Sequence, residues 1–444
     1  MRRRRTAASV LLTMVALIAV ACTGGNESSD TGTASTGGEP VDITMWHGYG
    51  KVIDNQGQTN FEAKSLIDLV DRYNAMDTGV HVTLDYIGSN DHALEKLTVA
   101  LQGDLQPDIT YQYGTSMPQL ATAPGIMDLT DRVQDQGFNW DDFSEGARAA
   151  ATVDGQVFAI PALIDNLAIV YNKGLFKAAG VDEPTPDWTW DDFQAAAKAL
   201  TDPSEQQYGF AFPIDGSEDT VWHYDAMLWE AGGDILSADN TQAAFNSAEG
   251  VEALTTLQEM AVTDTSVFLD QQNVGKIDEL FNAGKIGMLV TGPWALSSYP
   301  SVDYSVQVMP MYDGGSHATI AGPDMWVMFD NGDGRGDAAW KFMSWFTAAQ
   351  QVKEDSMTSG HLPIRNSVVQ EPGFLDEFDT KFPGEGLFAE NLENVTKARP
   401  VITSYDQISR IMGEAVVKVM LGQAEPQAAL DDAAAQVNEV LAGG

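Results

Sequence analysis

Val41-Asp-Ile-Thr-Met-Trp-His-Gly-Tyr-Gly50 alternates apolar and polar residues as far as Trp46 and then breaks at a run with two glycines. A period of two predicts a half-buried strand, and the break predicts that it delivers Trp46 to Tyr49 to the carboxyl edge of a sheet. In open α/β sheets that edge is where ligands bind. Downstream, apolar spacing predicts a helix from about 62 to 75 (Leu66, Ile67, Leu69, Val70, Tyr73), a strand over 80–86, a helix over 93–102 and a strand over 108–111. Strands alternating with helices argue for a doubly wound α/β domain. Residues 154–161 then read as a hairpin-like unit and 168–173 as an apolar strand. The chain is helix-rich from about 188 to 260, has a strand at 285–290, and is helical again from 337. Such a succession suits two lobes with the chain crossing between them.

The amino terminus predicts the compartment. Arg2, Arg3, Arg4 and Arg5 precede an uncharged apolar run from Ala7 to Ala21, too short to cross a bilayer comfortably, and the polar stretch 23–40 follows at once. This reads as an export signal over 1–21. Cys22 is the only cysteine of 444 residues, so an intrachain disulfide is excluded. The tetrad Ala19-Val-Ala-Cys22 resembles a bacterial lipobox, with Ala19 in place of the usual larger aliphatic residue. Cys22 is then the expected lipidation site, and 22–40, rich in Gly, Ser and Thr, a flexible tether with a reach of roughly 25 Å.

Lys and Arg number 24 and Asp and Glu 64, for a formal charge of −40; losing the four signal arginines takes it to −44. Nucleic acid is therefore excluded as a partner. So strong an acidity also weighs against a highly anionic solute unless local cations oppose it.

The tools of common enzymes are missing. The sequence has no Gly-x-Ser-x-Gly elbow, no phosphate-cradling Gly-rich loop with Lys, and no His-Glu-x-x-His. Six scattered histidines and one cysteine give no metal-ligand spacing, and the Asp330–Asp337 run fails the calcium-loop pattern, so neither metal nor cofactor is expected. The pairs Asp141/Asp142 and Asp191/Asp192 read as first-turn acids of helices capped by Asn139 and Thr189. A glycosidase needs only two carboxylates, so a glycan-active enzyme stays open at this level.

Several segments together resemble the extracellular solute-binding proteins of ABC importers, in the branch that includes maltose-, multiple-sugar- and glycerol-3-phosphate-binding proteins. They are Asp154-Gly-Gln-Val-Phe-Ala-Ile-Pro161, Leu167-Ala-Ile-Val-Tyr-Asn-Lys173, Leu175-Phe-Lys-Ala-Ala-Gly180, Trp188-Thr-Trp-Asp-Asp-Phe193, and Leu280-Phe-Asn-Ala-Gly-Lys-Ile-Gly-Met288 with Gly292-Pro-Trp294. The resemblance runs from about 41 to 441. It implies an α/β fold of two lobes joined by a hinge, with an interlobe ligand cleft: an amino-terminal lobe of 41–155 plus 285–335, and a helix-rich carboxy-terminal lobe of 156–284 plus 336–444. It implies a non-enzymatic, monomeric binding subunit on the extracytoplasmic face of the cell membrane, serving the transmembrane subunits of an ABC permease.

A neutral sugar needs aromatic plates for its C–H faces and polar groups for its hydroxyl rim. Together with the resemblance, this selects Trp46 and His47 after the first strand, Gln112 after the third, Asp165 and Asn166, Trp222, Trp294, Asp324, His361 and Arg399 as ligand contacts. Trp229, Trp326, Trp340 and Trp345 lie in apolar patterns and are expected in the core. The resemblance leaves two solutes: a mono- to oligosaccharide, or glycerol-3-phosphate or a glycerophosphodiester, for which Arg399 would grip the phosphate. Gln112 in place of a carboxylate and Trp294 in place of a small residue favour the sugar.

Overall fold

Strands β1 (Val41–His47), β2 (Val80–Tyr86), β3 (Ile109–Tyr113), β4 (Thr152–Val153), β5 (Gln156–Val157), β6 (Ala159–Leu163), β7 (Ala168–Asn172), β8 (Tyr208–Ala211), β9 (Val267–Phe268), β10 (Ile286–Thr291), β11 (Tyr304–Gln307) and β12 (Asp324–Met328) are the sheet elements of the computed structural model, which describes residues 39–53, 59–88 and 90–443. Among these residues the strands make two five-stranded sheets, β2-β1-β3-β12-β6 and β11-β7-β10-β8-β9, and the small hairpin β4-β5. In the first sheet β1 runs parallel to β2 and β3, while β12 runs antiparallel to β3 and β6. In the second, β8 runs parallel to its neighbours β9 and β10, and β7 runs antiparallel to β10 and β11. Cys22, the expected signal segment 1–21 and nearly all of the expected tether 22–40 lie outside the described residues.

Sheet membership corrects the expected lobe boundaries. The chain passes from the first sheet to the second between β6 and β7, and returns between β11 and β12. The 285–335 segment therefore divides: β10 and β11 pair in the second sheet, and only β12 joins the first. The carboxy-terminal part divides too. The helix Arg335–Phe346 packs on β1 and β12 and Ala349–Ser359 on the helix Phe61–Asn74, whereas Tyr405–Met420 and Pro426–Gly443 pack on each other and on the helices of the second sheet. Local apolar periodicity carries no information about which of two similar sheets an element joins; that is fixed by contacts far apart in sequence.

Local chemistry explains several element ends. Asn60 caps Phe61–Asn74 by accepting from the Ala63 amide at 3.0 Å. Thr189 and Asp192 form a reciprocal capping box at the start of Trp190–Ala199, as the first-turn acids predict. Asn139 does not cap: its φ is +54°, it precedes only a three-residue 3-10 turn, and the following helix is capped by Ser144. Asp142 instead reaches across the fold, accepting from the Ser367 amide at 2.8 Å and its hydroxyl at 2.7 Å. Beside it Arg365 is buried over the Phe143 ring, 4.0 Å from its centroid, and donates to the carbonyls of Thr347, Phe138 and Asn139.

The Asp330–Asp337 run is a turn that feeds the Arg335 helix. Arg335 donates at 2.6 Å to buried Asp108, which also accepts from the Thr44 amide at 2.8 Å and from Asn331 at 2.9 Å, pinning β1, β3 and the turn together. Of the tryptophans expected in the core, Trp229 and Trp326 are buried. Trp340 and Trp345 are only partly so, packed against the hydrophobic core with Arg132 and Arg72 over their outer faces.

Candidate ligand cleft

The carboxyl ends of β1, β6 and β10, together with β3, β12 and the start of the helix Glu218–Glu230, surround a cavity of about 300 Å³. That is near the lower end of ordinary ligand pockets, roughly 300–1,000 Å³. Its walls come from both sheets. The first supplies Tyr49, Tyr111, Tyr113, Asp165 and Asp324; the second supplies Glu218, Asp219, Trp222 and Trp294.

One wall is aromatic. Trp222 and Trp294 lie 5.6 Å apart between ring centroids, inclined by 36°. Trp294 is seated over Gly292: a Cβ there would come within 1.8 Å of the indole, so only glycine permits this placement. The Trp222 indole N–H is buried without a protein partner. The opposite wall carries Tyr49 and Tyr111, edge to face at 5.7 Å, with Trp326 behind both.

The polar groups form two linked sets. His361 bridges two acids: Nδ1 is hydrogen-bonded to Asp165 Oδ2, and Nε2 lies 2.9 Å from Glu62 Oε1. Burial alone would lower the imidazole pKa, but Asp165 and Glu62 outweigh it and hold it well above the usual histidine value. Asp165 Oδ1 accepts from the Leu362 amide at 2.9 Å. In the second set Arg399, buried, donates at 2.6 Å to Glu218 Oε1, which also accepts from the Tyr405 hydroxyl at 3.1 Å. Burial opposes the guanidinium charge, yet Glu218, Tyr405 and Asp324 push its pKa above the ordinary arginine value.

Asp324 stands between the sets. Its Oδ2 accepts from the Tyr111 hydroxyl at 2.6 Å, while Oδ1 is buried with no protein partner. Burial raises its pKa to about 7, with Asp165 adding to the rise and Arg399, Tyr111 and His361 opposing it. A buried acceptor at the wall of a cavity calls for a donor from whatever enters.

Six of the ten sequence-selected residues line this cavity: Asp165, Trp222, Trp294, Asp324, His361 and Arg399. Four do not. Gln112 lies within β3, whose alternation turns Tyr111 and Tyr113 to the cavity and Gln112 to the opposite face beside Thr110. The strand continues two residues past its expected end, so Gln112 is not in a loop. Asn166 is buried and structural: it donates to the Phe388 carbonyl at 2.9 Å and accepts from Asn391 at 2.8 Å, tying the β6–β7 crossing to a distant helix. His47 is buried among Tyr49 and Tyr86, and burial lowers its pKa to about 4 against the opposing pull of Asp85. Trp46 lies on the other face of β1 from Met45 and His47 and does not line the cavity.

Tyr49, Glu62, Tyr111, Tyr113, Glu218 and Asp219 were missed. Tyr111 and Tyr113 were recoverable from the alternation of β3, whereas Tyr49 lies in the turn just past the end of β1. Glu62, Glu218 and Asp219 begin helices, where an acid is already explained by the helix dipole.

The chain belongs to the bacterial extracellular solute-binding protein family, whose model matches residues 60–353, more than half of its length. The cyclic alpha-maltosyl-1,6-maltose binding protein of Arthrobacter globiformis is 30% identical, with a TM-score of 0.72 over 91% of this chain and 100% of that one. A maltotriose-binding protein of Pyrococcus abyssi is 25% identical over 73% of this chain and 69% of its own. An sn-glycerol-3-phosphate-binding periplasmic protein of Pectobacterium atrosepticum is 23% identical over 90% of this chain and 91% of its own. The fold is accordingly the two-lobe architecture of periplasmic binding proteins.

Proposed function

We propose that this protein captures a neutral carbohydrate in the cleft and presents it to the transmembrane subunits of an ABC importer without altering it. The observation that carries this reading is the charge pairing of the cleft. Its two cationic side chains are already matched, Arg399 by Glu218 and His361 by Asp165 and Glu62, and Asp324 adds a further acid. A phosphate entering here would meet no unmatched cation and several carboxylates. A pyranose would find the Trp222–Trp294 wall for its apolar face and carboxylate oxygens for its hydroxyls. Similarity to proteins named for maltose-type sugars supports the same class.

Cys22, lipidated at the new amino terminus, would hold the body at the outer face of the membrane; no helix among the described residues is long and apolar enough to cross it. The direct test is a thermal-shift screen of the soluble body against neutral sugars and glycerol phosphoesters, since a solute that binds only the folded state raises its Tm. Stabilisation by sugars and not by phosphoesters is expected; the reverse pattern would assign the protein to the glycerol phosphoester branch.

A further inference from the structure

Of the acids that line the cleft, Glu62, Asp165, Glu218, Asp219 and Asp324, only Asp324 has a buried oxygen without a protein partner among the described residues. Asp165 is served at both oxygens, by His361 and by the Leu362 amide. Glu218 is served by Arg399 and Tyr405 at Oε1 and by Ser409 at Oε2. Asp324 is held at Oδ2 by the Tyr111 hydroxyl, which leaves Oδ1 at the cavity wall with no donor. A Cβ built on Gly322, which also lines the cavity, would lie 3.4 Å from Oδ1 and 3.3 Å from an Arg399 nitrogen, so Oδ1 and the guanidinium flank the same short stretch of wall.

The groups that face Asp324 do not supply the missing donor. Tyr111 and the register partner Tyr113 come from β3, and β6 offers only Leu163. Tyr49 adds a phenol and Asp165 a like charge, while the cations His361 and Arg399 are already matched by other acids. Burial pushes the Asp324 carboxyl up to about 7, so near neutrality the empty cavity holds a proton there about half the time. A sugar changes the balance, because each hydroxyl is a donor and donation to a charged carboxylate is roughly twice as strong as to a neutral acceptor.

Resting on the carbohydrate reading above, we propose that solute capture is coupled to proton release at Asp324: a sugar hydroxyl donates to Oδ1, and the proton held on that carboxyl in the empty cavity passes to bulk water. The hydroxyl keeps its own O–H bond, so the sugar is unchanged and the complex loses only the Asp324 proton. External acid then competes with the solute for one oxygen.

Calorimetric titration of the soluble body with maltose, melibiose and xylobiose, each in PIPES and in imidazole, counts the protons exchanged, because the two buffers differ in heat of protonation. A sugar that binds should release about half a proton per site at pH 7 and nearly one at pH 6, and its affinity should rise about tenfold between pH 6 and pH 8 as the ionised fraction grows. Asp324→Asn should release no proton and should bind with an affinity that changes less than about twofold over that range. Should this variant not fold, Tyr111→Phe, which withdraws a hydroxyl that favours the charged form, should move the midpoint of the affinity profile to higher pH. Equal heats in the two buffers, proton uptake instead of release, a release retained in Asp324→Asn, or an unmoved midpoint in Tyr111→Phe would overturn the coupling while leaving sugar binding intact. Absence of binding by all three sugars would remove the carbohydrate reading and the coupling with it.

Discussion

Asp324→Asn should flatten the dependence of stability on pH. In the folded protein burial pushes this carboxyl up to about 7 from the ordinary aspartate value of 3.8, outweighing the opposing pull of Arg399, Tyr111 and His361. An acid whose pKa is raised by folding contributes stability that is fully present below the unfolded pKa and is lost as pH rises through the folded one. The shift is about three units, at about 1.36 kcal/mol each, so the full loss is at most about 4 kcal/mol above neutrality. Between pH 5 and pH 8 only the part from 5 to about 7 is traversed, about 3 kcal/mol. Asp278 and Asp406, both raised to about 6 by burial, slope the same way, and so the variant must be compared with the unaltered protein at each pH. Denaturant midpoints of the empty protein at pH 5 and pH 8 measure it. The difference between the two pH values should shrink by about 3 kcal/mol in Asp324→Asn. Parallel pH profiles would refute the placement of an unrelieved acid at the cavity wall.

Trp294→Ala should weaken sugar binding by about 2 kcal/mol or more, tens of fold by titration, as for an aromatic anchor in a desolvated site. It should also lower the Tm of the empty protein measurably, because Trp294 packs on both large hydrophobic clusters; unchanged affinity would remove it from the site. Arg365→Leu should cost about 3 kcal/mol or more in denaturant unfolding, since it leaves the Thr347 and Phe138 carbonyls without their donor and removes the cation beside buried Asp142; a loss below 1 kcal/mol, roughly the value of a surface pair, would contradict that role. Cys22→Ala should shift the protein from the membrane fraction to the medium at equal expression, and retention in the membrane would sink the anchor. Incubation with the bound sugar should return it unchanged, with no hydrolysis above a heat-killed control.

The elements of the first sheet were legible because its strands and helices carry clean local periods: the strand over 80–86 and the helices at 61–74 and 93–101 fall within a residue or two of expectation. What periodicity could not supply was sheet membership, and so β10 and β11 were placed in the wrong lobe. The cleft shows the same division. Trp294 and Asp165 sit in or beside recognisable segments, whereas Glu218 gains its role only by meeting Arg399, 181 positions away. Gln112 shows how little separates the two outcomes. A strand two residues longer turned its amide away from the cavity and brought Tyr111 and Tyr113 in.

Calorimetric titration of the soluble body with a neutral oligosaccharide, and in parallel with glycerol-3-phosphate and a glycerophosphodiester, tests the central claim most directly. A cleft whose cations are already paired should bind the sugar saturably at one site per chain and leave both phosphoesters without measurable heat. Saturable binding of either phosphoester, abolished by Arg399→Ala and with no sugar bound, would contradict the account.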